Sequence, residues 1–169
     1  MALPNKEDYG AFYEVYVSKV NAQNLHEAVT NYSSTLISFL TNLPNEKADF
    51  SYAPNKWSLK DLLQHIIDTE RIMSYRLLRI ARNDQTPLPG FEENDYASNA
   101  KAVNRTFDSL KKEMKAVRQA TDLLIESLTE EQLGNAGIAS GKRATANAIG
   151  YIIFGHLLHH KKIIEERYI

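Results

Sequence analysis

Apolar positions recur every three or four residues in four separate segments of the chain, the period of a helix with one buried face rather than the alternation of a strand. In the first, Leu25, Val29, Tyr32, Leu36, Phe39 and Leu43 step by four and three in turn, and Pro44 closes the run. In the second, Leu59, Leu63, Ile66, Met73, Leu77 and Ile80 keep the same spacing, interrupted by one polar seam position, Glu70. It opens at "KWSLKD", where Ser58 followed three residues later by Asp61 is a near-relative of a capping box. The third runs through Val103, Phe107, Leu110, Met114, Val117, Leu124 and Leu128, with Thr121 as its polar position. The fourth places Ile149, Ile153 and Ile163 on one line, with His156 and His160 in the seam between them, and Thr145 suits its N-cap. Four amphipathic helices of about 18 to 26 residues pack most simply as an all-α four-helix bundle.

The connecting stretches refine that picture. Ahead of the first helix, "EDYGAFYEVYVSKV" predicts a short extra helix, and no segment carries a convincing hairpin or βαβ signal. The links "TNLPNEKADFSYAPNK", "NDQTPLPGFEENDYASNA" and "GNAGIASGKRA" are long for neighbouring helices, and Pro87, Pro89 and Gly90 forbid regular helix in the second. Loops of this length permit crossover connections and often carry function.

Composition narrows the classes. A chain of 169 residues accommodates one core, so residues 1–169 read as a single domain. With 43% hydrophobic and 24% charged residues, near the globular average, disorder is not indicated. The net charge of −1 and the spread of Lys and Arg argue against a nucleic-acid surface. The absence of cysteine removes disulfides, thiolate ligands and cysteine nucleophiles. "MALPNKEDYG" lacks the basic start and apolar run of a signal peptide, and no apolar stretch reaches the ~18 residues of a membrane span. A soluble, cytoplasmic protein without a membrane partner is the expectation.

The histidines carry the chemistry. At about 100° per residue, His156 and His160 lie roughly 40° apart in the middle of the isoleucine stripe, while His159 falls toward its margin. Two imidazoles on adjacent turns can converge on one cation, and a buried imidazole without a partner is costly. The alternative is a pair of hydrogen-bonded core histidines. "GHLLHH" lacks the Glu of H-E-x-x-H, so a zincin is not indicated and a third ligand must come from another helix. Periodicity favours Glu70, which occupies a seam position, over His65, which sits roughly 120° from the stripe's centre on the helical wheel. Glu70 can equally pair with an Arg across the seam. His26 reads as a surface residue, Trp57 as a packing anchor at the bundle end, and Thr121 as bonded to the preceding turn. "FEENDY" reads as solvated capping chemistry.

"APNKWSLKDLLQHIIDTE", the Pro-rich "PLPGFEENDY" and the terminal "AIGYIIFGHLLHHKKIIEERY" together resemble the DinB/YfiT-like superfamily, from about Ala53 to the C-terminus. The most specific element is W-S-x-K-x-x-x-x-H combined with a late G-H-x-x-H-H. The resemblance implies a four-helix bundle with crossover (up-down-down-up) connectivity, a homodimer, and a divalent metal, Zn or Ni, held by His65, His156 and His160. It implies an enzyme acting on a small molecule, either a metal-dependent hydrolase or an S-transferase using a low-molecular-weight thiol. Within that reading Glu70 is the candidate acid–base residue, and Asp95 and Tyr96 are candidate substrate contacts. The competing reading is a non-catalytic metal-binding or stress-associated interaction module.

Overall fold

The computed structural model describes residues 2–169. In chain order its elements are α1 (Glu14–Val17), α2 (Leu25–Thr41), α3 (Leu59–Ala81), α4 (Glu93–Ala100), α5 (Phe107–Glu126), α6 (Glu130–Gly134), β1 (Ala136–Ala139), β2 (Lys142–Thr145) and α7 (Ala146–Arg167), with short 3-10 turns before α1, between α2 and α3, and between α4 and α5. The four long helices α2, α3, α5 and α7 are the four that the periodicity predicts. Their starts are set by side chains that satisfy otherwise orphaned backbone N–H groups. Asn24 accepts from Glu27 N at 2.9 Å. Ser58 and Asp61 close a full capping box on α3. Thr145 accepts from Ala148 N at 3.1 Å, as its position suggests. α5 begins at Phe107 rather than Val103, because Thr106 takes the cap and accepts from Ser109 N; Val103 lies in the preceding 3-10 turn, 70% exposed.

Helix α2 packs against α5 and α7, and α3 also packs against α5 and α7. Consecutive helices α2 and α3 thus stand across the bundle from each other, an order with which crossover connections are consistent. Helix α7 is the most enclosed element, with every residue from Ala146 to Leu157 buried, as expected of a helix that is apolar nearly all round. No helix among the described residues is long and apolar enough to cross a membrane.

Two features of the connections depart from the expectation of plain loops. The Gly-rich stretch before α7 forms an antiparallel hairpin, Ala136 opposite Thr145 and Ala139 opposite Lys142. Ser140 and Gly141, at φ of 52° and 72°, form its two-residue turn, the left-handed pair that a primed turn requires. The Pro-rich link bonds to this hairpin: Leu88 N donates to Ile138 O at 2.9 Å and Ser140 N to Leu88 O at 3.0 Å. Arg76, 2% exposed on α3, secures both, donating to Pro89 O at 2.7 Å and to Ser140 Oγ at 3.0 Å. Beyond that anchor the chain forms α4, where the Pro-rich composition had suggested no regular helix; the prolines and Gly90 all precede it.

Candidate metal centre

His65 comes from the second turn of α3, and His156 and His160 from adjacent turns of α7. All three are buried, at 6%, 6% and 8% exposure. Their Nε2 atoms converge: His65 to His156 is 3.1 Å and His160 to His156 is 3.0 Å. They form the one group of three potential metal ligands found among the described residues. His159, one residue away, packs edge-on against Tyr16 instead, and His26 is exposed, as expected.

The donor set fits a divalent ion. Two nitrogens bound at about 2.0–2.1 Å to one Zn²⁺ stand ~3–3.4 Å apart, the spacing of the Nε2 atoms here. Burial, which penalises the charged form, lowers the pKa of His65 to about 4, with a smaller contribution from His159. Burial lowers that of His160 to about 2, and that of His156 falls well below its ordinary value for the same reason, aided by the neighbouring imidazoles. At neutral pH all three rings are therefore uncharged and their lone pairs are free to coordinate. His160 Nδ1 is buried without a protein partner.

Neighbouring rings fix the imidazoles in place. Trp57 lies tilted over His65 at 4.9 Å, a packing contact that holds the His65 ring. Tyr16 meets His156 edge to face at 5.5 Å. That contact depends on Gly155: a Cβ there would stand 2.1 Å from Tyr16 O, so only glycine lets α1 lie directly on α7.

A cavity of about 250 Å³ opens beside the cluster, with His65, His156, Thr69, Tyr16, Phe91 and Glu93 among the residues that line it. Burial is the main cause that raises the Tyr16 phenol above its ordinary pKa, reinforced by the charge of Glu93. His160 faces a second groove, lined by Trp57, Asn94 and Tyr168 among others.

The remaining candidates lie elsewhere. Glu70 is buried on the far flank of α3, 3.2 Å from Arg118 of α5, and does not line the cavity. Arg118 also pairs with Asp122 at 2.8 Å, which accepts from Ser33 of α2 at 2.7 Å, and its guanidinium lies over Phe154 of α7 at 4.7 Å. The Arg pairing weighed for Glu70 is thus what the structure shows, and the acid–base assignment has no geometric support. Asp95 and Tyr96 line a separate groove with Gln64, Asp68 and Arg105, and Tyr96 packs at 5.1 Å against Phe91, a residue of the histidine cavity's wall. Sequence reasoning missed Tyr16, Thr69 and Glu93. Thr69 was legible in principle, being one helical turn after His65; Tyr16 and Glu93 reach the site through tertiary contacts that periodicity does not encode.

Residues 31–164 match the family model described as the DinB superfamily. A protein of Oceanobacillus iheyensis named "putative metal-dependent hydrolase" is 25% identical over 148 residues, covering 84% of each chain. Among solved structures, YfiT from Bacillus subtilis, described as a probable metal-dependent hydrolase with an unusual four-helix bundle topology, superposes with a TM-score of 0.68 at 15% identity, over 98% of this chain and 91% of its own. A mycothiol-dependent maleylpyruvate isomerase gives a TM-score of 0.67 at 12% identity, over 91% of this chain and 62% of its own. At these identities the two structures establish the shared fold.

Proposed function

The chain belongs to the DinB superfamily, and on that premise we propose that it is a metal-dependent hydrolase of a small substrate. The observation that carries the reading is the convergence of three neutral, buried imidazoles beside a cavity. His65, His156 and His160 would hold the ion, Zn or Ni, with three protein ligands, the number typical of a catalytic site that keeps a position open. The bound ion would supply Lewis acidity and a nucleophile available near neutral pH.

The chain's own residues would do the rest. Tyr16, whose phenol stays protonated at neutral pH, offers a hydrogen-bond donor at the cavity wall. Thr69 offers a hydroxyl that no protein group engages. Trp57 and Tyr16 hold the His65 and His156 rings at fixed angles, and the aromatic wall limits the access of bulk water.

The likeness in fold to a mycothiol-dependent isomerase supports a second reading, transfer of a low-molecular-weight thiol. Since the chain has no cysteine, the thiol would have to enter as a second ligand. A cavity of about 250 Å³ is small against the ~300–1,000 Å³ typical of ligand pockets, which favours one small substrate and water.

Elemental analysis of purified protein tests the premise: about one divalent ion per chain is expected, lost in His156→Ala. The loaded protein is then assayed on small esters and amides, and on electrophiles with and without added thiol. Ion-dependent turnover without thiol supports hydrolysis. Turnover only with thiol selects the second reading, and stoichiometric metal in His156→Ala would sink both.

A further inference from the structure

The mouth of the histidine cavity has a composition of its own. Four of its lining residues, Phe12, Tyr13, Tyr16 and Phe91, are aromatic, two more, Glu92 and Glu93, are acidic, and no Lys or Arg lines it. Three of the rings form one cluster: Phe12 lies 5.5 Å from Tyr13 and 6.0 Å from Tyr16, and Tyr13 lies 6.4 Å from Tyr16. Phe12 is 73% exposed, a large apolar ring held at a rim where water alone gives it no reason to stay. Deeper in, Thr69 is only 5% exposed, and its hydroxyl has no hydrogen-bond partner. A buried hydroxyl left unbonded in the lining is a group that a ligand's polar atom would satisfy on entry.

Aromatic faces carry negative charge density and attract cations, most strongly where several rings and a carboxylate surround one position. The Phe91 ring already has the Arg76 guanidinium over it at 5.9 Å, which leaves the Phe12–Tyr13–Tyr16 cluster as the free aromatic surface. From these observations we infer that the cavity takes a small organic cation, its amine or quaternary ammonium group held among Phe12, Tyr13, Tyr16 and the carboxylates of Glu92 and Glu93, and a polar atom of the same molecule bonded to the Thr69 hydroxyl beside the histidines. This rests on the proposed enzyme only in naming the class of its substrate.

The carboxylates have a competing role, as counter-charges to a divalent ion nearby. Charge recognition separates the two. The probes are choline and 3,3-dimethylbutan-1-ol, which share a shape and differ in charge, titrated calorimetrically into metal-loaded protein whose metal content is measured in the same sample. Choline is expected to bind at least ~10-fold tighter than the alcohol, the preference expected of an aromatic cage. Phe12→Leu and Glu93→Gln, both at exposed positions that leave the core intact, should each reduce that preference by roughly 3-fold or more. Equal affinities, or no binding of either probe, would overturn the inference while leaving the metal-dependent reading intact. A Glu93→Gln variant that loses metal but keeps the full preference for choline would also overturn it, in favour of the counter-charge. Conversely, a preserved preference in protein that binds no metal would uphold the cage and remove the proposed enzyme.

Discussion

His65, His156 and His160 are neutral because their surroundings penalise charge, and that fixes how the metal-free protein responds to acid. Their folded pKa values lie below the ordinary 6.5, at about 4 for His65. The unfolded chain therefore takes up protons that the folded chain refuses as pH falls, and stability rises with pH across this window. Stability is expected to be steady above about pH 7 and to fall by ~1.4 kcal/mol per pH unit for each such histidine below about 6.5. Urea denaturation between pH 7.5 and 4.5 checks this, and His65→Leu should flatten the slope. The same residue shows where a helical wheel misleads. Helix α3 touches α7 on one flank and α5 on the other, and the wheel's stripe is centred between them. His65 points to α7 and Glu70 to α5, so distance from the centre ranked them in the wrong order, and only the motif shared with a family placed His65 in the site. Burial of Glu70 was legible; its partner, 48 residues along, was not. Removing that partner should be costly: Arg118→Met leaves the buried carboxylate of Glu70 without a counter-charge and takes the ion-pair partner from the partly buried Asp122, an expected loss of about 3–5 kcal/mol. Adding Glu70→Met should cost less than the two single changes combined, as a denaturation-based double-mutant cycle would show.

Elements divide by length in how clearly the sequence announces them. α2, α3, α5 and α7 each repeat their apolar period over several turns and carry a cap, so type and approximate extent follow from pattern alone. The hairpin is four residues a side, and its strands read Ala-Gly-Ile-Ala and Lys-Arg-Ala-Thr, with too little alternation to stand out. Its signal lies in Ser140–Gly141, whose left-handed backbone makes the turn. α4 is short and has no buried residue, so it lacks the apolar stripe by which helices are recognised. These small elements position the cavity wall, and Arg76 joins them. Arg76→Met should release the Pro-rich link and the hairpin together, at an expected ~1.5–3 kcal/mol for hydrogen bonds from a charged group. Because Arg76 lies about three turns beyond His65 on α3 and bonds the link and the hairpin rather than the histidines, metal content should stay at its original level while hydrogen exchange accelerates at Leu88 and Ser140. Unchanged protection at both amides would refute the clamp.

For the molecule as a whole, the histidine cluster ties α3 to α7, two helices that share one of the bundle's main packing surfaces. An ion bound there recognises the folded chain alone, since His65 lies 91 residues from His156 and the unfolded chain does not hold them together. Metal must then stabilise the entire bundle by mass action. At a free concentration 100 times Kd the gain is about 2.7 kcal/mol. For a domain of this size, where 1 kcal/mol moves the midpoint by ~2–4 °C, that is a rise in Tm of roughly 5–11 °C. His156→Ala should abolish the rise even if its own Tm changes little. His159→Ala should retain it in full, because the His159 ring packs on Tyr16 and lies outside the ligand cluster. A His159→Ala variant that no longer responds to metal would show that the ion is held by a different set of imidazoles. The comparison is made on metal-stripped protein with Zn²⁺ and Ni²⁺ titrated separately, and the larger midpoint shift at equal free concentration identifies the ion this bundle holds more tightly.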